Sequence, residues 1–176
     1  MLTSIGSPGQ KRGGDDLTSS LLDCHERIRR FSKLAVRLAQ AEAGDPAEQI
    51  AEAAAGVRRY FTVALPLHSA DEERSIEPRL VVVRPELGET FAKMAREHRQ
   101  LEALIEELEP SWRRLIDEPA RHAEEAARLL GPSERLEALF AIHLVPEETV
   151  VFPALASLAP EERALALGEL RARRQR

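Results

Sequence analysis

The string His-x-x-x-Glu-Glu-x-x-x-x-Pro-x-Leu occurs twice in this chain, from His68 to Leu80 and again from His143 to Leu155. Each copy follows a single histidine at nearly the same distance: His68 lies 43 residues after His25, and His143 lies 45 residues after His98. The chain therefore reads as two similar halves, each with one single histidine and one His-x-x-x-Glu pair. Residues i and i+4 share a face of an α-helix, one turn apart. His68 and Glu72 thus point the same way, and so do His143 and Glu147. Any fold of this chain must give these polar faces a common destination.

The surrounding pattern is helical. Leu, Ala, Glu and Arg dominate, and the 176 residues include only 9 Gly, a composition that favours helices and is long enough for one domain with a real core. A first helix is expected from Asp16 or Thr18, both good N-cap types, to about Ala43, with Gly44-Asp45-Pro46 as its stop. Leu21, Ile28, Phe31, Ala35 and Leu38 recur at helical spacing, and His25 falls on that stripe. A second helix is expected from Pro46 to about residue 77, kinked at Pro66, with Pro78 and Pro85 bracketing its exit. A third should run from about Glu86 to Glu109 on the stripe Leu87, Phe91, Met94, His98, Leu101, Ile105 and Leu108, disturbed at Pro110. Residues 120–130 read as a helix broken at Gly131-Pro132. Ser133 would cap the next helix, which carries Leu136, Phe140, His143, Glu147, Val150 and Ala154. A short last helix starts at Pro160 and ends in arginines, an order that suits the helix dipole.

Four long amphipathic helices bury their stripes most simply as an antiparallel four-helix bundle. The expected organisation is a leader over 1–16, the bundle over 17–158 and a short basic helix over 159–176, with the segments 111–130 and 160–174 packed outside or capping an end.

Charge and composition exclude several roles. The formal net charge is −5 with both signs interspersed, which leaves no large basic face for nucleic acid. No Gly-rich phosphate loop and no hydrolytic nucleophile–base arrangement is present. No stretch is expected to span a membrane, which takes about 18 apolar residues, and the N-terminus has no apolar core of signal-peptide length. A lone cysteine, Cys24, rules out an internal disulfide framework and suggests a reducing, cytoplasmic setting.

Each of the four helices places a polar ligand type on an otherwise apolar stripe. An unpaired buried carboxylate costs several kcal/mol or takes up a proton. Two divalent cations between the helices would neutralise the carboxylates and satisfy the imidazoles together. Carboxylates can bridge two metals while neutral imidazoles terminate each one. His122 serves as a contrast, since Ala126 stands at its i+4 position and it lies outside the repeat; it reads as a surface or packing residue. Glu73 and Glu148 are turned about 100° from Glu72 and Glu147, so they read as outward groups or as carboxylates holding a ligand imidazole. Cys24 reads as a buried inert thiol, Tyr60 and Met94 as core.

These residues resemble the hemerythrin-like, or HHE cation-binding, family over about residues 17–158. The resemblance implies an up-down-up-down bundle with two non-haem irons per chain. It implies bridging carboxylates Glu72 and Glu147 and terminal imidazoles His25, His68, His98 and His143. Oxygen-carrying members look different on the third helix, where a second histidine follows the first by four residues; this chain has Glu102 there. That argues against reversible oxygen carriage and makes Glu102 a candidate seventh ligand, an outer group or a wall of the entry path. The six-ligand set is more similar to the di-iron proteins of iron–sulfur-cluster repair, without their N-terminal cysteine-containing domain. The expected ligand is oxygen, nitric oxide or peroxide. An enzyme, a sensor or iron-handling module acting through a protein partner, and a plain helical interaction protein all remain open from sequence.

Overall fold

A computed structural model of the protein describes residues 16–41 and 45–175. Almost all of the expected leader, and Gly44 of the expected stop, lie outside the described residues. Among those residues the structure is helical, with no strand. Helix α1 spans Leu17–Ala39. Asp16 caps it, its Oδ1 accepting from the backbone N–H of Thr18 at 2.7 Å and of Ser19 at 3.2 Å. Such a cap contributes about 1 kcal/mol. The helix stops short of Ala43.

The second stave is one long helical path in three α pieces, α2 (Ala47–Arg59), α3 (Leu65–Asp71) and α4 (Glu77–Val83). Two π-helical segments, Tyr60–Ala64 and Glu72–Ile76, join them. The expected exit at Pro78 is therefore corrected: the helix passes through it to Val83. The physical reason is the π segment just before it. A proline removes one backbone donor and crowds the preceding turn, and a widened turn relieves that crowding without ending the helix. The same device precedes Pro66, and it recurs as Glu147–Val151 before Pro153.

Helices α5 (Gly88–Asp117) and α6 (His122–Pro146) are also longer than expected. Pro110 and the Gly131-Pro132 pair lie inside them and break neither. Ser133 is not a cap but a buried residue within α6. Burial outweighs the local signal. Trp112 and Leu115 beyond Pro110, and Leu129 and Leu136 on either side of Gly131-Pro132, are all completely buried. Each large apolar side chain contributes about 1.5–3 kcal/mol, against roughly 3 kcal/mol for an interior proline. Segments 111–117 and 122–130 therefore extend the long helices instead of packing outside them. After the third π segment come α7 (Phe152–Ala154) and α8 (Pro160–Arg173).

Helix α1 packs on α2 and α6, and α5 packs on the same two. The core inside this ring is in two parts. The larger holds Ile28, Phe61, Leu65, Leu101, Trp112, Phe140 and Leu144, with Phe61 stacked between Trp112 and Phe140 at centroid distances of 5.7 and 5.8 Å. The smaller holds Leu21, Ile76, Met94, Val151 and Phe152. Every stave crosses from one part to the other, and each crosses at its expected ligand residues.

The continuous helical path Pro119–Ser157 contains a window of mean hydropathy 1.4, long and apolar enough to cross a membrane. This corrects the sequence expectation that no such stretch exists. Its inward side chains include His143 and Glu147, buried among the other helices.

Candidate metal centre

Between the two core clusters lie two groups of four buried side chains. One is His25, His68, Glu72 and Glu147; the other is Glu72, His98, His143 and Glu147. Within each group every side chain offers a ligand atom within 4.8 Å of the others. The two groups share both carboxylates. Glu72 directs Oε1 at His68 Nε2 and Oε2 at His98 Nε2, each at 3.3 Å. Glu147 directs Oε2 at His25 Nε2 at 2.9 Å and Oε1 at His143 Nε2 at 2.7 Å. Each carboxylate therefore spans from one group to the other.

These contacts are close, but the acceptor atoms do not have hydrogen-bond geometry. Both oxygens of Glu72, both of Glu147 and the Nε2 atoms of His25 and His68 are buried without a hydrogen-bond partner. Polar atoms buried this way cost free energy. They converge on common centres instead of pairing along N–H axes. That donor set, imidazole nitrogens with shared carboxylates, suits a pair of divalent transition metals.

The protonation pattern of the metal-free protein carries the same tension. Burial, and next the charge of Glu147, push Glu72 well above the ordinary carboxylate range. Burial also opposes a charge on Glu147, but the His143 and His25 imidazoles outweigh it and hold Glu147 below that range. Burial lowers His68 to about 3, which keeps it neutral and able to ligate. Two carboxylates this close do not both ionise without a cation.

Outer carboxylates hold the rings. His25 Nδ1 donates to Glu148 Oε1 at 2.7 Å, His98 Nδ1 to Glu73 Oε1 at 3.1 Å, and His143 Nδ1 to Glu97 Oε2 at 2.9 Å. The sequence had singled out Glu73 and Glu148 but not Glu97. The signal available for Glu97 was its place immediately before His98, which turns it toward the neighbouring helix. Arg29 adds a second donor to Glu148 Oε1 at 2.7 Å. The ring of Phe152 covers His25 at a centroid distance of 4.8 Å.

The other singled-out residues lie elsewhere. His122 is buried, and its Nε2 donates to the Leu38 carbonyl at 2.6 Å, at the far end of the larger core. Tyr60 stacks on Phe31 at 4.2 Å and donates to the Cys24 carbonyl at 3.3 Å. The Cys24 thiol is partly exposed and has Arg174 Nη2 at 3.5 Å. Met94 is core. Glu102 is exposed and belongs to neither ligand group. It lines a cavity of about 20 Å³ together with His68, His98, His143, Leu65 and Phe140.

Comparison with known proteins agrees with this geometry. The family model of the hemerythrin HHE cation binding domain matches residues 16–132. The match takes in the first signature and both single histidines, and the second signature continues beyond it. Among curated proteins no relative matches. The span of the family match places the chain in the hemerythrin HHE cation-binding family.

Proposed function

We propose that this chain is a non-haem di-iron protein that binds or reacts with oxygen, nitric oxide or peroxide. The observation that carries the reading is the pair of carboxylates Glu72 and Glu147, each spanning two clusters of otherwise unpartnered buried ligand atoms. His25 and His68 would terminate one iron, His98 and His143 the other. When bound, ferrous iron supplies electrons to a small oxidant. The chain's own residues orient and shield. Glu73, Glu97 and Glu148 fix ring tautomers, and apolar residues on both sides keep bulk water out. The cavity of about 20 Å³ beside His68, His98 and His143 has room for one water-sized molecule. That restricts the partner to a diatomic or similarly small species.

In the same reading the four staves form an up-down-up-down antiparallel bundle. The order of core clusters supports this: α1 and α5 run from the smaller cluster to the larger, whereas α2–α4 and α6–α7 run from the larger to the smaller. The lone partly exposed thiol fits a reducing compartment.

A second reading, a sensor or iron-handling module acting through a protein partner, is favoured by one contact. Asp71, next to Glu72, is buried and paired with Arg173 Nη1 at 2.7 Å and Arg174 Nη2 at 2.6 Å at the end of α8. The segment that carries Glu72 is thereby tied to the C-terminal helix.

The experiment is anaerobic purification, metal analysis, and separate addition of oxygen, nitric oxide and peroxide with the absorbance followed. Two irons per chain and a spectral change with at least one of the three support the di-iron reading. An iron-free protein that rejects iron overturns it. Iron loading without any response to the three, together with a partner bound only in one iron state, favours the sensor.

A further inference from the structure

The two candidate metal positions are not built alike. Internal repetition pairs His25 with His98 and His68 with His143. Three of these four imidazoles have a carboxylate on Nδ1: His25 has Glu148, His98 has Glu73 and His143 has Glu97. His68 Nδ1 is buried and has no hydrogen-bond partner among the described residues. The repeat itself shows where the missing group would stand. Glu97 immediately precedes His98 and reaches across to His143. The residue that immediately precedes His25 is Cys24, a thiol in place of a carboxylate. Arg174 lies against that thiol at 3.5 Å and directs its guanidinium to Asp71. Around His68 the walls are apolar, with Ile28, Leu65 and Phe140 lining the same small cavity.

A carboxylate on the outer nitrogen fixes an imidazole's tautomer, holds its plane and raises its basicity toward a metal. Loss of such a partner lowers metal affinity by about 10–100-fold. The His98–His143 position has this support on both rings, the His25–His68 position on one.

We propose that the two metal positions differ in strength by construction: His98 and His143 hold the metal that binds first and leaves last, and His25 and His68 hold the labile one. Glu97 is the positioning residue that makes the difference, because its counterpart in the first half is Cys24. The inference rests on the dinuclear reading. It adds that a half-loaded state, with one defined position filled, exists between the empty and full protein.

The test is titration of the metal-free full chain with Co(II) under argon, followed by calorimetry and by the visible absorption of the bound ion. The expected result is two steps with constants about 10–100-fold apart. Glu97→Gln should weaken the first step and draw the two together, and Glu148→Gln should weaken the second and spread them. His68→Ala should abolish the second step and leave the first spectrum in place. Circular dichroism of each variant checks that it folds, and the native titration stands without them. Two equal steps in the native protein, or a Glu97→Gln change confined to the weaker step, overturns the inference. No Co(II) binding at all would sink the dinuclear reading itself, which keeps the two failures distinct.

Discussion

Glu148 holds the Nδ1 of His25 at 2.7 Å across a separation of 123 residues. Glu73 does the same for His98 at 3.1 Å. The second glutamate of each signature thus serves the single histidine of the other half. Neither half can orient its own imidazoles alone, so the site exists only when the two halves pack together. The following expectations rest on that arrangement.

Metal content should separate the five histidines. His143→Ala should lose at least one metal per chain, and His68→Ala likewise. His122→Ala should keep the full metal content but lose about 1–3 kcal/mol of stability with its buried bond to Leu38. Glu102→Ala should also keep the full content, since Glu102 lies in neither ligand group. Elemental analysis of the purified variants decides this, and equal metal loss in all four would refute the assignment.

Chelation should destabilise the fold. Glu72 and Glu147 are buried side by side with no hydrogen-bond partner of their own. A ligand at about 100-fold over its Kd adds about 2.7 kcal/mol, which for a chain of this size means roughly 5–10 °C in Tm. A calorimetric scan with and without chelator tests this; coincident transitions would place the metal off the core.

Acid should erase the contribution of a second buried carboxylate. Glu125 is held at about 2, first by its hydrogen bond with Arg114 and also by Ser111, against the opposing effect of burial. A folded-state value below the unfolded one, about 4.3, means stability that is full above that value. It is lost as pH falls through about 2. Metal-free Glu125→Gln should therefore melt below the metal-free native protein at neutral pH, and the gap should close between pH 4 and 2. A gap that is constant from pH 7 to 2 would show that the charge of Glu125 plays no part.

Asp71→Asn should loosen α8. The neutral amide cannot pair with both Arg173 and Arg174, so the variant should lose about 1–3 kcal/mol. Limited proteolysis should then cut first within residues 160–175. Unchanged cleavage would show that α8 is held by its buried Ala166 and Leu170 alone.

Much of the architecture was legible because two periodicities coincide. His25 and His98 fall on the same stripes as Leu21 and Leu101, so helical spacing alone turns them inward. The repeated string supplied the other four ligand candidates. Helix limits were less legible. Pro110, Gly131 and Pro132 are local signals, and the burial of Trp112, Leu129 and Leu136 that overrides them is decided by helices distant in sequence. Glu97 was missed for a related reason: its role depends on which helix stands opposite, and spacing along one helix does not encode that.

Each liganding carboxylate opens a widened turn, Glu72–Ile76 in one half and Glu147–Val151 in the other, and each turn ends just before the proline of its signature. A widened turn carries one residue more than an evenly wound helix. Deleting a residue inside 73–76 or 148–151 would let the helix rewind evenly. It would also rotate everything beyond by about 100° relative to the ligands before it. Leu80 or Leu155 would then leave the smaller core while His68 or His143 stayed in place. Single-residue deletions should therefore be far less tolerated in these two short segments than in the connections after Val83 or Asp117, a length constraint that point substitutions alone would never reveal.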